Sequence, residues 1–542
     1  MIATRMPNIS RWLPVAAACV VVGFVALQVR LVGDWRVDDA YITFSYSRNL
    51  AIGRGPVYGY DLRVEGYSNF LWMVFVALPL SLWPRGDPAL IARIGAFGSL
   101  ALLGWIVWRL MRRRAGLLLS AALLAVLALW TDLTRATLSG LETTPHAALL
   151  ALCILLYTHP SGTVRRWTWL AALGLGLIRI DGFVLIGVLV AWDLVLGPRQ
   201  RRLITARHLW WFTIPVLAYV GYFSARWAYY GLPLPLPYYA KSIGAAQGLL
   251  RGGGYLWANI RALGLLAAVP VGIAALVRKP RADALLLWTI AGVQCVYVVA
   301  IGGDWMPMAR WLIPVVPLFL VLVAWGGEDV LQRISARGWM IAARVVLPLA
   351  MLFIAMRLDE HIVDTPLEAM KISWAEGNKR HFHDNLYANR DLVRWMLRRP
   401  GQKLVTDYGG VFAYYTDARI IEMWGLCNRD IALYGNDDGI NPIYGKTCVA
   451  CYPAFDPDFF HVVTPLARPL AAFSSHQAVI EEVFQGPAID RVLDLQHRFV
   501  TGCVVDETRG RAFYFLERRR PGASFETRYP APGYRVEYPF GE

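Results

Sequence analysis

The chain has 542 residues, 56% hydrophobic and only 17% charged. A soluble domain averages about 45–50% apolar and about 25% charged residues, so a wholly soluble enzyme is excluded and a polytopic membrane protein with a soluble portion is expected. The net charge of +15 invites a nucleic-acid partner, but the arginine runs lie between apolar segments, where membrane topology needs them, and no basic stripe with interleaved aromatics accompanies them.

A helix needs about 20 apolar residues to cross the hydrocarbon core. The segment 12–32 is too long for a signal-peptide core, and no small-residue cleavage site follows it. Arg5 and Arg11 precede it with no acid between them, so the N-terminus is expected to be cytoplasmic. Further spans are expected near 90–110, 116–133, 143–158, 166–180, 182–197, 209–229, 260–277, 284–302, 310–326 and 339–357, about eleven helices in all. The stretch "NFLWMVFVALPLSLW" (69–83) is apolar but short and holds Pro79. As a span it would carry "RLMRRR" (109–114) outside, against the charge rule, so an interfacial or re-entrant helix is expected. Five basic loops then fall inside: Arg112–Arg114, Arg165–Arg166, the cluster Arg199, Arg201, Arg202 and Arg207, the group Arg278, Lys279 and Arg281, and Arg333 with Arg337.

The opposite face collects a different set. Its first loop holds Asp38, Asp39, Arg48, Arg63 and Glu65. Later loops bring Asp132, Arg135 and Glu142, then Arg179 and Asp181 in a short turn, Lys241 after a Pro-rich segment, and Asp304 with Arg310. Ionisable groups at helix ends that face a bundle interior are functional candidates. A carboxylate beside a like charge in a partly apolar cleft gains proton affinity, which suits the pair Asp38 and Asp39 to general-base work on a hydroxyl. Simple helix-end polarity is the plainer alternative. Tyr41, Phe44 and Tyr46 are placed to stack on sugar faces or to sit in an interfacial belt. A local salt bridge with Arg63 is the plain reading of Glu65.

After about 358 the long apolar runs stop. Strand-like pieces "KLVTD" (403–407), "RIIEM" (419–423), "HVVTP" (461–465) and "RAFYFLER" (511–518) alternate with helical pieces such as "NRDLVRWMLRR" (389–399), as in an α/β or α+β domain. The expected division is thus a membrane domain, 1–357, with its first extracytoplasmic loop at 33–89, and an extracytoplasmic domain, 358–542. Cys19, Cys153 and Cys295 fall in apolar segments and are read as packing residues. Cys427, Cys448, Cys451 and Cys503 fall in the second domain, where an even number in an oxidising compartment predicts two disulfides with three possible pairings. Half a zinc site or a redox pair is the alternative for Cys448-x-x-Cys451.

The block "VDDAYITFSYSRNLAIGRGPVYGYDLRVEGYSNFLW" (37–72) resembles the first extracytoplasmic loop of the mycobacterial arabinofuranosyltransferase B family. "LSGLETTPHA" (138–147), "LIRIDG" (177–182), "LPLPLPYYAKS" (232–242), "GGDWMPMARWLIPVVP" (302–317), "DYGGVFAYY" (407–415) and "IIEMWGLCNRDIA" (420–432) add to the resemblance, in order along most of the chain. The resemblance implies a GT-C fold: a polytopic α-helical membrane protein whose first loop forms juxtamembrane helices. It implies an inverting glycosyltransferase of the cell membrane that moves arabinofuranose from a polyprenyl-phosphate donor to a glycan or other envelope acceptor. An aspartate of the first loop is then the base, either Asp38 or Asp39, with Asp38 favoured as the first of the pair. Lys241, Arg310 and Arg179, with Arg48 and Arg63 behind them, are expected to meet the donor phosphate. Glu65, Tyr67, Asn69, Glu142, Asp181 and Asp304 are expected to hold sugar hydroxyls or orient those cations. One departure stands in the 177–182 turn, where Ile180 replaces the family's proline. No nucleotide or other cofactor is required by such a donor, and a divalent metal bridging the phosphate and the Asp pair is allowed for. A transporter or flippase of lipid-linked sugars is the competing reading, but no repeat symmetry or broken helix with midplane polar groups supports it.

Overall fold

A computed structural model describes residues 13–333 and 397–540, apart from 199–201, 206–208, 242–244, 263–264, 278–280, 305, 307–308, 398, 437–445, 449–450, 462–467, 470–472, 483–493, 508–509, 522–527 and 532. Helices fill the first part. They include α1 (Leu13–Val32), α2 (Asp38–Ala51), α3 (Phe70–Leu82), α4 (Pro88–Met111), α5 (Leu117–Ala128), α6 (Thr131–Leu138), α7 (Thr143–Tyr157), α8 (Gly162–Arg165), α9 (Thr168–Ile178), α10 (Gly182–Ala191), α11 (Leu209–Tyr230), α12 (Leu236–Ala240), α13 (Ala245–Ala262), α14 (Leu265–Ala274), α15 (Arg281–Ala300) and α16 (Val316–Leu331).

Helices thus lie at each expected span except 339–357, which falls outside the described residues. Length and composition qualify two of them to cross a membrane, Pro88–Met111 and Ala282–Ala300. A third span results if the bent pair α5 and α6, which turn by 54°, counts as one. About eleven spans is therefore more than the described helices show on these grounds. Helix α3, with 13 residues, rises about 20 Å, short of the about 30 Å of a hydrocarbon core.

Contacts divide the chain into two compact units. The first takes residues 1–35, 93–221 and 244–375. The second takes 36–92, 222–243 and 376–542. The expected break near residue 358 is therefore crossed by the first loop, which packs with the C-terminal residues.

The C-terminal part of the second unit is an eight-stranded sheet in the order β2-β1-β3-β6-β5-β8-β7, with β4 beside β6. Its strands are β1 (Lys403–Thr406), β2 (Arg419–Glu422), β3 (Phe459–His461), β4 (Arg468–Pro469), β5 (Phe499–Asp506), β6 (Arg511–Arg518), β7 (Arg528–Ala531) and β8 (Tyr534–Glu537). Strand β1 runs parallel to β2 and β3, and the remaining pairs are antiparallel. The expected strands 403–407, 419–423 and 511–518 are present. The third begins at Phe459, ahead of its expected position. Of 389–399, only Leu397 and Arg399 are described. Val405, Phe460, Phe499, Val505 and Leu516 fill the core beneath the sheet. On β5, Gly502 faces Phe515 so closely that a Cβ would lie 2.3 Å from the ring. Only glycine fits opposite that aromatic.

The parallel part has a consequence for the site. Strand β1 leads through the helix Gly409–Tyr415 to β2 on one side, and β3 returns on the other. In doubly wound sheets, that change of side puts a ligand crevice at the carboxyl ends of the strands.

Candidate functional site

Helix α2 begins with the acid pair and is buried along most of its length, from Ala40 to Ser47. In the second unit, both oxygens of Asp38 are engaged by main chain. Gly410 N–H donates to Oδ2 and Val411 N–H donates to Oδ1, each at 2.8 Å. A carboxylate there complements the positive end of the 409–415 helix. Ten residues on, Arg48 donates to the carbonyls of Tyr414 at 3.1 Å and Thr416 at 3.4 Å, at the negative end of the same helix. Between them Ser45 donates to the Ala413 carbonyl at 3.2 Å, and Tyr41 and Phe44 meet the Tyr414 ring edge-on. Gly410 makes the approach possible, since a Cβ would lie 2.1 Å from the Asp38 carbonyl oxygen. Helix α2 thus holds a C-terminal helix by both ends of its dipole.

This geometry moves two expectations. Arg48 is occupied by helix carbonyls and by Asp417 at 3.4 Å, so it has the partners of a helix cap and not of a phosphate ligand. Asp38 is an anchor, and the place a doubly wound sheet gives to a ligand's anionic group holds the chain's own carboxylate. Burial pushes the Asp38 carboxyl up to about 7, against the two N–H donors, with Asp39 and Asp407 adding like charge. Asp39 stands beside it, half-buried. Below them Glu422 accepts from Trp424 N–H at 2.8 Å, Leu426 N–H at 2.6 Å and Cys427 N–H at 3.2 Å. Burial carries its carboxyl up to about 8.

The rest of the first loop is fastened to residues 222–243. Glu65 is buried and pairs with Arg226, Nη1 to Oε2, at 2.9 Å. Its expected local bridge to Arg63 does not form. Arg226 also donates to the Pro233 carbonyl, and Leu236 N–H donates to the Glu65 carbonyl at 2.8 Å. Burial raises the Glu65 carboxyl to about 8 even with Arg226 pulling it down. Tyr67 shares a hydrogen bond with Tyr230 at 3.2 Å, and Asn69 accepts from the Thr43 hydroxyl at 3.1 Å. All three residues therefore brace the loop. Lys241 caps the C-terminal end of α12 and is half-buried. The side chain of Lys446 donates to the Tyr239 carbonyl of that helix at 2.9 Å.

In the first unit a second constellation gathers around Trp311. Arg179 donates to Glu142 at 2.6 Å and to Asp181 at 2.8 Å, with its guanidinium 4.4 Å from the Trp311 ring centre. Arg310 pairs with Asp304, Nη2 to Oδ1 at 3.1 Å, and lies 5.8 Å from the same ring. The structure thus brings together Glu142, Arg179, Asp181, Asp304 and Arg310. Three carboxylates here face two guanidiniums, so an incoming anion has to displace a carboxylate. Sequence reasoning missed Trp311, as it missed Arg226, Asp407 and Glu422. Arg226 carried a readable signal, being a lone cation within an apolar run.

The cysteines correct another expectation. Cys448 and Cys451 form a disulfide, while Cys427 and Cys503 are free and buried. Cys427 packs where a Cβ on Gly66 would lie 2.3 Å from its sulfur, and Cys503 faces the sheet core. The two sit in separate packing environments, so the second expected disulfide is absent. Among the described residues, no group of three or more His, Cys, Asp or Glu could hold a metal ion.

No protein-family model matches the chain, and no curated protein does. Solved structures do. The oligosaccharyltransferase of Archaeoglobus fulgidus in the apo form matches with a TM-score of 0.53 at 10% identity, over 92% of this chain and 74% of that one. The same archaeon's AglB oligosaccharyltransferase, in complex with an inhibitory peptide and a dolichol-phosphate, matches with a TM-score of 0.53 at 10% identity, over 95% of this chain and 75% of that one. ArnT from Cupriavidus metallidurans in the apo state gives a TM-score of 0.49 at 17% identity, over 78% of this chain and 88% of that one. These neighbours are GT-C membrane glycosyltransferases, and the chain is similar to the archaeal enzyme in fold across nearly its whole length.

Proposed function

We propose that this chain is a membrane glycosyltransferase that takes a sugar from a polyprenyl-phosphate donor, with arabinofuranose as the donor sugar, and transfers it to an extracytoplasmic glycan or other envelope acceptor. Two supports carry the reading: the likeness in fold to an oligosaccharyltransferase, and the acid pair Asp38 and Asp39 at the start of α2. Asp38 is held through both oxygens. Because main chain holds both oxygens of Asp38, its half-buried neighbour Asp39 is proposed as the base in its place.

The proposed step is one displacement. An acceptor hydroxyl attacks the anomeric carbon, and Asp39 takes its proton. The bond from the anomeric carbon to the phosphate oxygen breaks, its electron pair leaves with the polyprenyl phosphate, and the configuration inverts. Lys241 is the proposed cation for the departing phosphate. Arg310, in the first unit, is proposed as a second anion-binding residue. In the cell the protein is proposed to sit in the bacterial plasma membrane, N-terminus inside and C-terminal residues outside.

The test offers membranes labelled polyprenyl-phospho-arabinofuranose and other lipid-linked pentoses and hexoses, and identifies the product linkage. Asp39→Asn is expected to lower transfer by about 10²–10⁴-fold with the protein inserted and folded, and Lys241→Met to raise the donor KM. Transfer that survives Asp39→Asn would sink the base assignment. Labelled lipid that crosses the bilayer without sugar transfer would favour the flippase reading.

A further inference from the structure

The loop 52–63 carries several charges whose partners differ in kind. Asp61 pairs with Arg419 at 2.6 Å. Asp417 takes Arg54 at 2.7 Å and Arg48 at 3.4 Å. Glu65 is held by Arg226. These three carboxylates of the second unit are therefore engaged elsewhere. Arg63 is exposed, has no acidic partner among the described residues, and lies with its guanidinium 5.6 Å from the ring centre of Tyr229.

Tyr229 is itself well held. It meets Tyr230 edge-on at 4.8 Å, and the Tyr230 hydroxyl donates to the Pro56 carbonyl at 2.8 Å. In the second unit, α11 ends on Trp227 at 49% exposure and Tyr229 at 37%. Exposed Trp and Tyr at a helix end are the pattern of a bilayer's headgroup level. An uncompensated guanidinium stacked on that tyrosine is oriented to meet a phosphate at the same level.

We propose that Arg63, stacked on Tyr229 at the end of α11, binds the phosphate of an anionic bilayer lipid and seats this part of the second unit on the membrane surface. The planar guanidinium uses one face for the ring and its edge for two phosphate oxygens. This takes Arg63 out of the donor site, to which the sequence had assigned it. The inference is independent of which sugar the protein transfers.

Full-length protein in nanodiscs of phosphatidylcholine and phosphatidylglycerol, released and weighed intact by native mass spectrometry, tests this directly. Wild type is expected to retain phosphatidylglycerol over phosphatidylcholine, and Arg63→Gln to reduce that preference about fivefold. Arg63→Lys should keep part of it, because an ammonium still meets a phosphate, and Tyr229→Leu should weaken it without removing a charge. An unchanged unfolding midpoint confirms that each variant is folded. Wild-type retention of phosphatidylglycerol in Arg63→Gln, or no preference in wild type, overturns the proposal. A second arm adds undecaprenyl phosphate. If it displaces phosphatidylglycerol from wild type and Arg63→Gln loses its own binding, the residue belongs to the donor site and the lipid contact is wrong. Sugar transfer by Tyr229→Leu in phosphatidylcholine alone stays within about twofold of wild type, which separates this outcome from any failure of the transferase reading.

Discussion

The α2 anchor of the second unit and the Trp311 group of the first use arginine and carboxylate in opposite ways. In the second, Asp38 and Arg48 are aimed at the two ends of one short helix, so each side chain meets main-chain groups. In the first, Arg179 and Arg310 meet carboxylates across the faces of Trp311. The first pattern ties together segments far apart in sequence and leaves the side chains saturated. The second builds a charged group whose members balance one another. Charge at a helix mouth is therefore a poor guide to chemistry until its partners are known.

The contrast breaks most severely at Arg179. Arg179→Met leaves Glu142 and Asp181 buried without their cation, and removing one partner of a buried pair costs about 3–5 kcal/mol. Thermal unfolding in mild detergent reads the loss, and Glu142→Gln combined with Arg179→Met should cost less than the two added separately. Next comes Asp38→Ala. It strands two N–H donors at the start of the 409–415 helix and is expected to cost about 2–4 kcal/mol, seen as faster proteolysis within the C-terminal sheet. Asp38→Asn, which keeps one acceptor, should cost less. An Asp38→Ala protein that stays as stable as wild type would show that the anchor reading is wrong. Arg48→Met is smaller, about 1 kcal/mol, because the guanidinium is only partly buried and water replaces it.

A last test sharpens the same difference through pH. Asp38, Glu65 and Glu422 have folded pKa values near 7, 8 and 8, above their ordinary values of 3.8, 4.5 and 4.5. The folded state then binds more protons than the unfolded chain between about pH 4 and pH 8, so stability falls as pH rises through that window. Unfolding midpoints from pH 5 to pH 8.5 should decline, and Glu422→Gln should flatten part of the slope. A midpoint that rises with pH would mean these carboxyls are ionised at little cost.

Hydropathy was a sound guide to where helices lie, because burial in lipid or protein acts on each 20-residue window by itself. It located α4 and α15 to within a few residues and set α3 apart by its length. The strands of the sheet were legible for the same local reason at 403–406, 419–422 and 511–518. The partners of the charges were not. Arg48 and Asp417 lie 369 residues apart, and Glu65 and Arg226 lie 161 apart, and nothing near Glu65 marks Arg226 as a better partner than Arg63. The cysteine count had the same weakness: four thiols allow two bonds, but Cys427 and Cys503 are placed by packing that no spacing reveals.

The contact between Asp38 and the 409–415 helix spans 372 residues. That distance sets an order of events during synthesis. Helix α2 is made early, with Tyr41, Phe44 and Asp38 shaped for a partner that does not yet exist. Until the ribosome has passed residue 415, these groups face water or whatever else is near. Contacts of such long separation form late and slowly, and their unfilled surfaces attract chaperones, proteases and other chains in the interval. A chain truncated before residue 409 keeps all of its first-loop residues and every helix through α16, yet it can never close that contact. Cells that make it should degrade it as an orphan, even though its membrane helices are intact.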